Sequence, residues 1–260
     1  MTSDLHLAAL HRYPVKGLSP ERLDTAALDA GGYFPGDRLF AVENGPSGFD
    51  PRAPIHQPKI KFLMLMRHEA LACLDVRYAA DENSLTILHG GQIVARGDLG
   101  TAEGRAVIVG FLADYLPEAL RGPLAVLAAP DGFRFTDSPR GYVSLLNLAS
   151  VAAIETMTGA AVDPLRFRAN LHIAGLAAWR ELDLVGRTLT TPDGVALRVL
   201  KRTERCAATN VDPVTGLRDL AIPHTLSRHL GHTDCGVYAE VVAGGVLKVG
   251  DRLDLAETSH

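Results

Sequence analysis

Cys206 stands near the middle of LRVLKRTERCAATNVDPVTGLRD, with Lys201, Arg202 and Arg205 just upstream. Nearby cations favour a thiolate, the form of cysteine that attacks electrophiles and binds soft metals. Taken alone, the same cysteine equally fits a small buried hydrophobe. Three other places put cations where they could act. Lys16 follows a proline in YPVKG, and is either an anion contact or a solvated surface lysine. Arg38 follows Pro35-Gly36-Asp37, near a sheet edge or paired with Asp37. In DPLRFRAN, Arg166, Arg168 and Asn170 share one side if the stretch is extended, with Phe167 on the other. Two guanidiniums on one side suit a phosphate, and pairing with Asp163 and Asp183 is the competing arrangement.

These residues depend on the elements that carry them. Val195, Leu197 and Val199 alternate as a half-buried strand does, and Asp212, Pro213 and Gly216 supply turn chemistry. Cys206 is therefore expected where a strand leaves its sheet. Further strands are expected over residues 5–10, 39–42, 60–66, 70–78, 124–127, 171–173 and 188–190. Cys73 falls inside one of them and reads as core. Residues 84–88 and 92–95 flank His89-Gly90-Gly91 as a hairpin, and 236–242, 246–249 and 252–255 make a β ending. The period changes over 103–116, where Val107, Phe111, Leu112 and Tyr115 share a helical face, Thr101 caps and Pro117 stops the run. A second helix spans about 147–158 on Leu148, Val151, Ile154 and Met157, with Asn147 to cap it and Gly159 to end it. Its N-terminus offers unpaired N–H groups to a phosphate or a ligand carbonyl, or only to water and its cap. His224, His229 and His232 lie close together without the H-E-x-x-H spacing of a zinc helix.

The totals exclude several classes. With 47% hydrophobic residues among 260, the chain can bury a substantial core. A net charge of -4 and a pI near 6.2 argue against nucleic-acid binding by phosphate neutralisation, and no basic run suits an anionic membrane surface. No signal-like leader is seen and no apolar run nears the roughly 18 residues of a membrane span, so a soluble, cytoplasmic protein is expected. Cys73, Cys206 and Cys235 form no C-x-x-C pair, which leaves no disulfide scaffold, structural zinc site or four-cysteine cluster. The fold expected is predominantly β with a few helices (α+β), as two closely joined β-barrel-like parts. The proline-rich stretch 117–130 places the boundary, giving residues 1–122 and 123–260, with the site in the cleft between them.

The order YPVKGL, PGDRLF, DPLRFRANL, RCAATNVDPVTG, GVYAEVV, GVLKVGD resembles the MOSC family, named for the carboxy-terminal domain of molybdenum cofactor sulfurases, here preceded by the family's β-barrel amino-terminal domain. The resemblance covers nearly the whole chain and is most specific in the cysteine block and the closing GVYAEV. The relatives it brings to mind are the mitochondrial amidoxime-reducing component and bacterial proteins that detoxify N-hydroxylated bases. It implies a molybdenum-pyranopterin cofactor with Cys206 as the protein thiolate on the metal. Lys16, Arg38, Arg168 and Asn170 match motif positions as cofactor contacts, with Arg166 and Arg205 as neighbours. Ser138 lies in a Ser-Pro pair ahead of the middle helix, Asn147 stands where relatives often have serine, and Gly17 replaces another frequent serine. The implied activity is reduction of amidoximes, hydroxylamines or N-hydroxylated bases, with Asp212 as a proton shuttle or simply a turn former. Electrons would come from a separate donor protein carrying an iron-sulfur, flavin or haem group. A persulfide carrier through Cys206 and a non-catalytic cofactor-binding protein are the alternatives. The family also bears, at family level only, a pyridoxal phosphate-binding label.

Overall fold

The computed structural model describes residues 4–139 and 142–256. Its strands are β1 (His6–Arg12), β2 (Glu21–Leu23), β3 (Thr25–Leu28), β4 (Phe40–Asn44), β5 (Leu74–Ala79), β6 (Ser84–His89), β7 (Gln92–Asp98), β8 (Leu124–Ala128), β9 (Val143–Asn147), β10 (Leu171–Ala174), β11 (Thr188–Thr190), β12 (Ala196–Glu204), β13 (Asp234–Ala243), β14 (Gly245–Lys248) and β15 (Asp254–Leu255). The α-helices are α1 (Ala102–Tyr115), α2 (Leu148–Thr158) and α3 (Ile222–Leu230).

The main sheet has the order β15-β11-β12-β13-β9-β10-β1-β2. Only β9 and β10 run parallel within it. A parallel pair at the centre of a sheet is covered on both faces, and β9, Val-Ser-Leu-Leu-Asn, is buried along its whole length. Val143 and Leu145 join a core with Leu7, Leu171, Val199 and Val237, whereas Leu146 packs with Val151 and Ile154 of α2 and Leu226 of α3. A strand buried on both faces shows no alternation, and β9 passes into α2 without a turn. The sequence reading accordingly has the helix and misses the strand.

A second core joins the β5-β6-β7 meander to α1 through Leu85, Ile87, Ile108 and Leu112. Thr101 caps α1, its Oγ1 accepting from Gly104 N at 3.0 Å. Each core is built from strands far apart in the chain, since β1 pairs with β10 in the first and β4 with β8 in the second. Among the described residues no sheet closes on itself, so the architecture is predominantly β, α+β, with open mixed sheets in place of the barrels expected.

Three segments depart from expectation. Residues 60–66 form no strand, because β8 takes one edge of β4 and the other is divided between Val15, at Phe40, and Phe62, at Glu43. They follow a 3-10 turn, Lys59–Lys61, with Phe62 and Leu63 as buried anchors. Residues 70–78 begin as a 3-10 turn, Glu69–Cys73, which leaves Cys73 half-buried. The histidine-bearing segment is α3, started by Pro223 and ended by Gly231 in the left-handed region. No described helix is long and apolar enough to cross a membrane.

Candidate functional site

A cavity of about 860 Å³ opens where the two cores meet, within the usual size of small-molecule sites of roughly 300–1,000 Å³. Lys16 reaches it from the loop after β1, Arg38 from the turn before β4, Arg166, Arg168 and Asn170 from the link between α2 and β10, and Arg205 and Cys206 from the end of β12. Ser138 completes the set of sequence-predicted residues on its wall. Asn147 and Asp212 are not on that wall.

Cys206 lies just beyond β12 with extended backbone, φ −116° and ψ 175°, at the head of a 3-10 turn, Ala207–Asn210. Its carbonyl accepts from Thr209 N at 3.0 Å and Thr209 Oγ1 at 2.9 Å, so the backbone is held while the thiol faces the cavity. Cys235 is the contrast: fully buried on β13, its thiol is pushed up to about 12 by loss of solvent. Lys59 lies on the same wall as Cys206. Burial works against its charge, but the Cys206 sulfur and the Asp137 carboxylate outweigh that, and its pKa is raised above the ordinary lysine value.

Arg38 and Arg168, both half-buried, form a cationic pair on the wall. Arg38 Nη1 donates to both oxygens of Asp37 at 2.6 Å, and Arg38 Nη2 to Arg168 O at 3.0 Å. Arg168 Nη1 donates to Leu18 O at 2.7 Å, and among the described residues its Nε and Nη2 have no hydrogen-bond partner. Both arginines sit in the left-handed region, φ 46° and 52°, at a cost of about 1–3 kcal/mol each that the surrounding bonds sustain. Burial, then Arg38, pull the pKa of Arg168 down to about 10, and Tyr13, Asp137 and Asp37 offset this only in part. Lys16 is also lowered by burial, although its ammonium pairs with Asp137 and donates to Phe135 O at 3.0 Å. The next residue, Gly17, has φ +86°, and a Cβ there would stand 2.8 Å from Leu63 O. A serine at that position would clash and be strained in this backbone.

The remaining predicted residues have other work. Arg166, its side chain 1% exposed, donates to Asp219 at 2.8 Å, Asp212 at 3.0 Å and Asn210 O at 3.2 Å. It is a clamp that fixes the segment after Cys206, and its partners are not Asp163 and Asp183. Asp212 accepts from Val214 N, Thr215 N and Thr215 Oγ1 as well as from Arg166, the bonding of a turn former. Asn170 borders the cavity, but its amide latches β9 to β1, accepting from Ser144 Oγ at 2.8 Å and donating to His11 O at 3.2 Å. Arg205 donates to Cys235 O at 2.6 Å and Phe167 O at 2.8 Å and has no carboxylate partner among the described residues. It lies across β13 because position 236 is glycine, φ +81°, where a Cβ would come within 2.8 Å of Arg205 Nη2. Ser138 Oγ accepts from Lys201 Nζ at 2.8 Å.

Asn147 requires the largest correction. It caps α2, accepting from Ala149 N at 3.2 Å, and donates to Glu181 Oε2 at 3.0 Å and Ala177 O at 2.9 Å. Ser150 Oγ donates to the same carboxylate at 2.8 Å. Glu181 and Asn147 are both 0% exposed. Glu181 thus stands beside the start of α2, bonded to the side chains of Asn147 and Ser150 rather than to the helix N–H groups. Lys59, Tyr13 and Glu181 escaped the sequence reading, for no local pattern marks them.

The cavity wall carries eight lysine and arginine side chains against four carboxylates. Such an excess suits an anionic ligand, and the thiol among the cations suits a soft metal. Among the described residues no three His, Cys, Asp or Glu side chains are arranged to hold a metal ion, so a metal at Cys206 has to bring other ligands with it. The donor set fits a phosphate-bearing organic ligand that carries its own metal-binding atoms.

The MOSC domain model matches residues 133–254 and the MOSC N-terminal beta barrel domain model residues 5–109. No curated protein matches the sequence. Among solved structures the chain is similar to the YUAD protein from Bacillus subtilis, at 14% identity and a TM-score of 0.47 over 96% of this chain and 93% of that one. It is also similar to YiiM from Geobacillus stearothermophilus, at 19% identity and a TM-score of 0.36 over 45% and 55% of the two chains. For YiiM from Escherichia coli the values are 18% identity and 0.36, over 47% and 58%. With both domain models matched in order along nearly its whole length, the chain belongs to the MOSC family, which associates it with the molybdenum cofactor.

Proposed function

We propose that this protein binds a molybdenum-pyranopterin cofactor in the cavity and reduces N-hydroxylated compounds such as amidoximes, hydroxylamines or N-hydroxylated bases. The observation that carries the reading is a half-exposed thiol set in a wall whose cations outnumber its carboxylates, with Arg168 half-buried and, among the described residues, in no salt bridge. Arg168 Nε and Nη2, Arg38 and Lys16 would hold the phosphate, and Cys206 Sγ would bind the metal. When bound, the cofactor supplies a centre that passes two electrons and accepts the substrate oxygen. Overall, an N–O bond breaks, two electrons and two protons enter, and water leaves. Lys59 Nζ keeps a positive charge and a proton on the wall shared with Cys206, the best-placed donor for the departing oxygen. Arg166 holds the segment after Cys206 in register, and Asn170 holds β9 and β1 together next to the loops that carry Arg168 and Lys16. With three widely spaced cysteines the chain has no four-cysteine cluster of its own, so electrons come from a separate donor protein.

The test is elemental analysis for molybdenum, with pterin fluorescence after oxidation, on wild type, Cys206→Ala and Arg168→Ala made in a cofactor-producing host. Wild type should carry metal, pterin and activity on a model amidoxime. Cys206→Ala should keep pterin and lose metal or turnover, and Arg168→Ala should lose pterin. Wild type without pterin but with a stable extra sulfur on Cys206 by mass spectrometry would replace the reductase by a persulfide carrier. Bound cofactor without turnover on any N-hydroxylated compound would leave a non-catalytic cofactor-binding protein.

A further inference from the structure

We propose that Tyr13 is the positioning residue of the anion site, its ring holding the guanidiniums of Arg38 and Arg168 together so that both serve one anion. The inference rests on the anion-binding reading of the cavity, but on neither pterin nor metal. Tyr13 is 0% exposed, and the guanidinium carbons of Arg38 and Arg168 lie 4.4 and 4.3 Å from its ring centroid. Two like charges so placed repel, and the negative face of an aromatic ring offsets that repulsion where a carboxylate would neutralise the site. Asp37 is hydrogen-bonded to Arg38 and reaches Arg168 only through space, so the group in direct contact with the Arg168 guanidinium is the ring.

The backbone of Tyr13 is tied into the same unit. Its N–H donates to Asp37 Oδ1 at 2.8 Å, and its carbonyl accepts from Arg38 N at 2.7 Å. The chain is thereby fastened to the turn that puts Arg38 at φ 46°, and Arg38 Nη2 in turn reaches the carbonyl of Arg168. The Tyr13 hydroxyl, by contrast, is buried with no hydrogen-bond partner. The site uses the ring, not the hydroxyl. Position 13 should therefore tolerate phenylalanine and reject an aliphatic residue of similar bulk.

The experiment is titration of the full chain with inorganic phosphate by calorimetry at low, fixed ionic strength, on wild type, Tyr13→Phe and Tyr13→Leu, with thermal melts alongside. Tyr13→Phe should bind within about twofold of wild type, and Tyr13→Leu about tenfold more weakly while still melting cooperatively. A Tyr13→Leu variant that binds like wild type, a Tyr13→Phe variant as weak as Tyr13→Leu, or a wild type that binds no phosphate overturns the proposal. If Tyr13→Leu does not fold, wild type decides. The side-chain proton resonances of Arg38 and Arg168, assigned through Arg38→Lys and Arg168→Lys, should be displaced upfield by the ring current, and undisplaced resonances sink the idea. A wild type that binds phosphate in this pattern but never carries pterin would end the cofactor reading and leave this one standing.

Discussion

Replacing Asn147 by alanine separates what this residue does from what its place at a helix start suggests. Three hydrogen bonds go: the cap to Ala149 N and the donations to Glu181 and Ala177 O. Loss of a side-chain cap costs about 1 kcal/mol. Glu181, 0% exposed, is left one donor short with Ser150 Oγ and Gly236 N still in place, and a buried group deprived of a partner costs about 1–3 kcal/mol. The sum is about 2–4 kcal/mol, which at roughly 2–4 °C per kcal/mol for a chain of this size lowers the melting temperature by about 5–15 °C. Cofactor content per folded molecule should not change, since Asn147 is not on the cavity wall. Asn147→Asp sharpens the test: it keeps the cap but sets a second carboxylate against Glu181, so it should be less stable than the alanine variant at pH 7 and recover part of the loss at pH 5. The assays are thermal melts and pterin fluorescence normalised to folded protein. An alanine variant that melts with wild type, or one that is stable yet empty of pterin, would refute the reasoning.

Arg166→Met should cost about 2–3 kcal/mol in chemical denaturation, below the 3–5 kcal/mol of a broken buried pair because Asp212 and Asp219, 22% and 43% exposed, can rehydrate. It should also open residues 207–219 to proteolysis, and Arg166→Lys should not rescue it, for lack of the planar fork; unchanged protease resistance would remove the clamp. The packed rings of His11 and His172, centroids 4.6 Å apart, are held by burial at pKa values of about 4 and about 3. Their folded values lie below the unfolded 6.5, so above that pH they add no pH dependence, and as pH falls toward about 4 the unfolded chain takes up protons that the fold refuses. Stability should drop by about 2 kcal/mol per histidine between pH 6.5 and pH 5, as read by urea unfolding. His172→Phe should flatten that drop, and an equal drop in variant and wild type would count against the buried neutral pair.

Much of the local structure could be read from the residues. The caps at Thr101 and Asn147, the His89-Gly90-Gly91 hairpin and the end of a strand just before Cys206 all depend on a few consecutive side chains, and short-range chemistry decides them. So does the supply of cations at Lys16, Arg38 and Arg168, the charge that any anion site in this fold has to draw on. Partners were another matter. DPLRFRAN read as an extended stretch with its arginines in line, but a 3-10 turn, Pro164–Phe167, and a left-handed Arg168 send Arg166 to Asp212 and Asp219 and Arg168 to the cavity.

What the amino-acid order determined by itself was many of the elements, α1, α2 and the β6-β7 hairpin among them, with their caps and turns, and the thiol and cations available for chemistry. The tertiary structure alone decided which charges face one another. Glu181 reaches the start of α2 from the far side of β10, Lys59 joins the wall of Cys206 because β4 has no edge left for a strand at 60–66, and Tyr13 meets Arg168 across β1 and β10. Such pairings follow from packing between segments far apart in the chain, which no local spacing encodes.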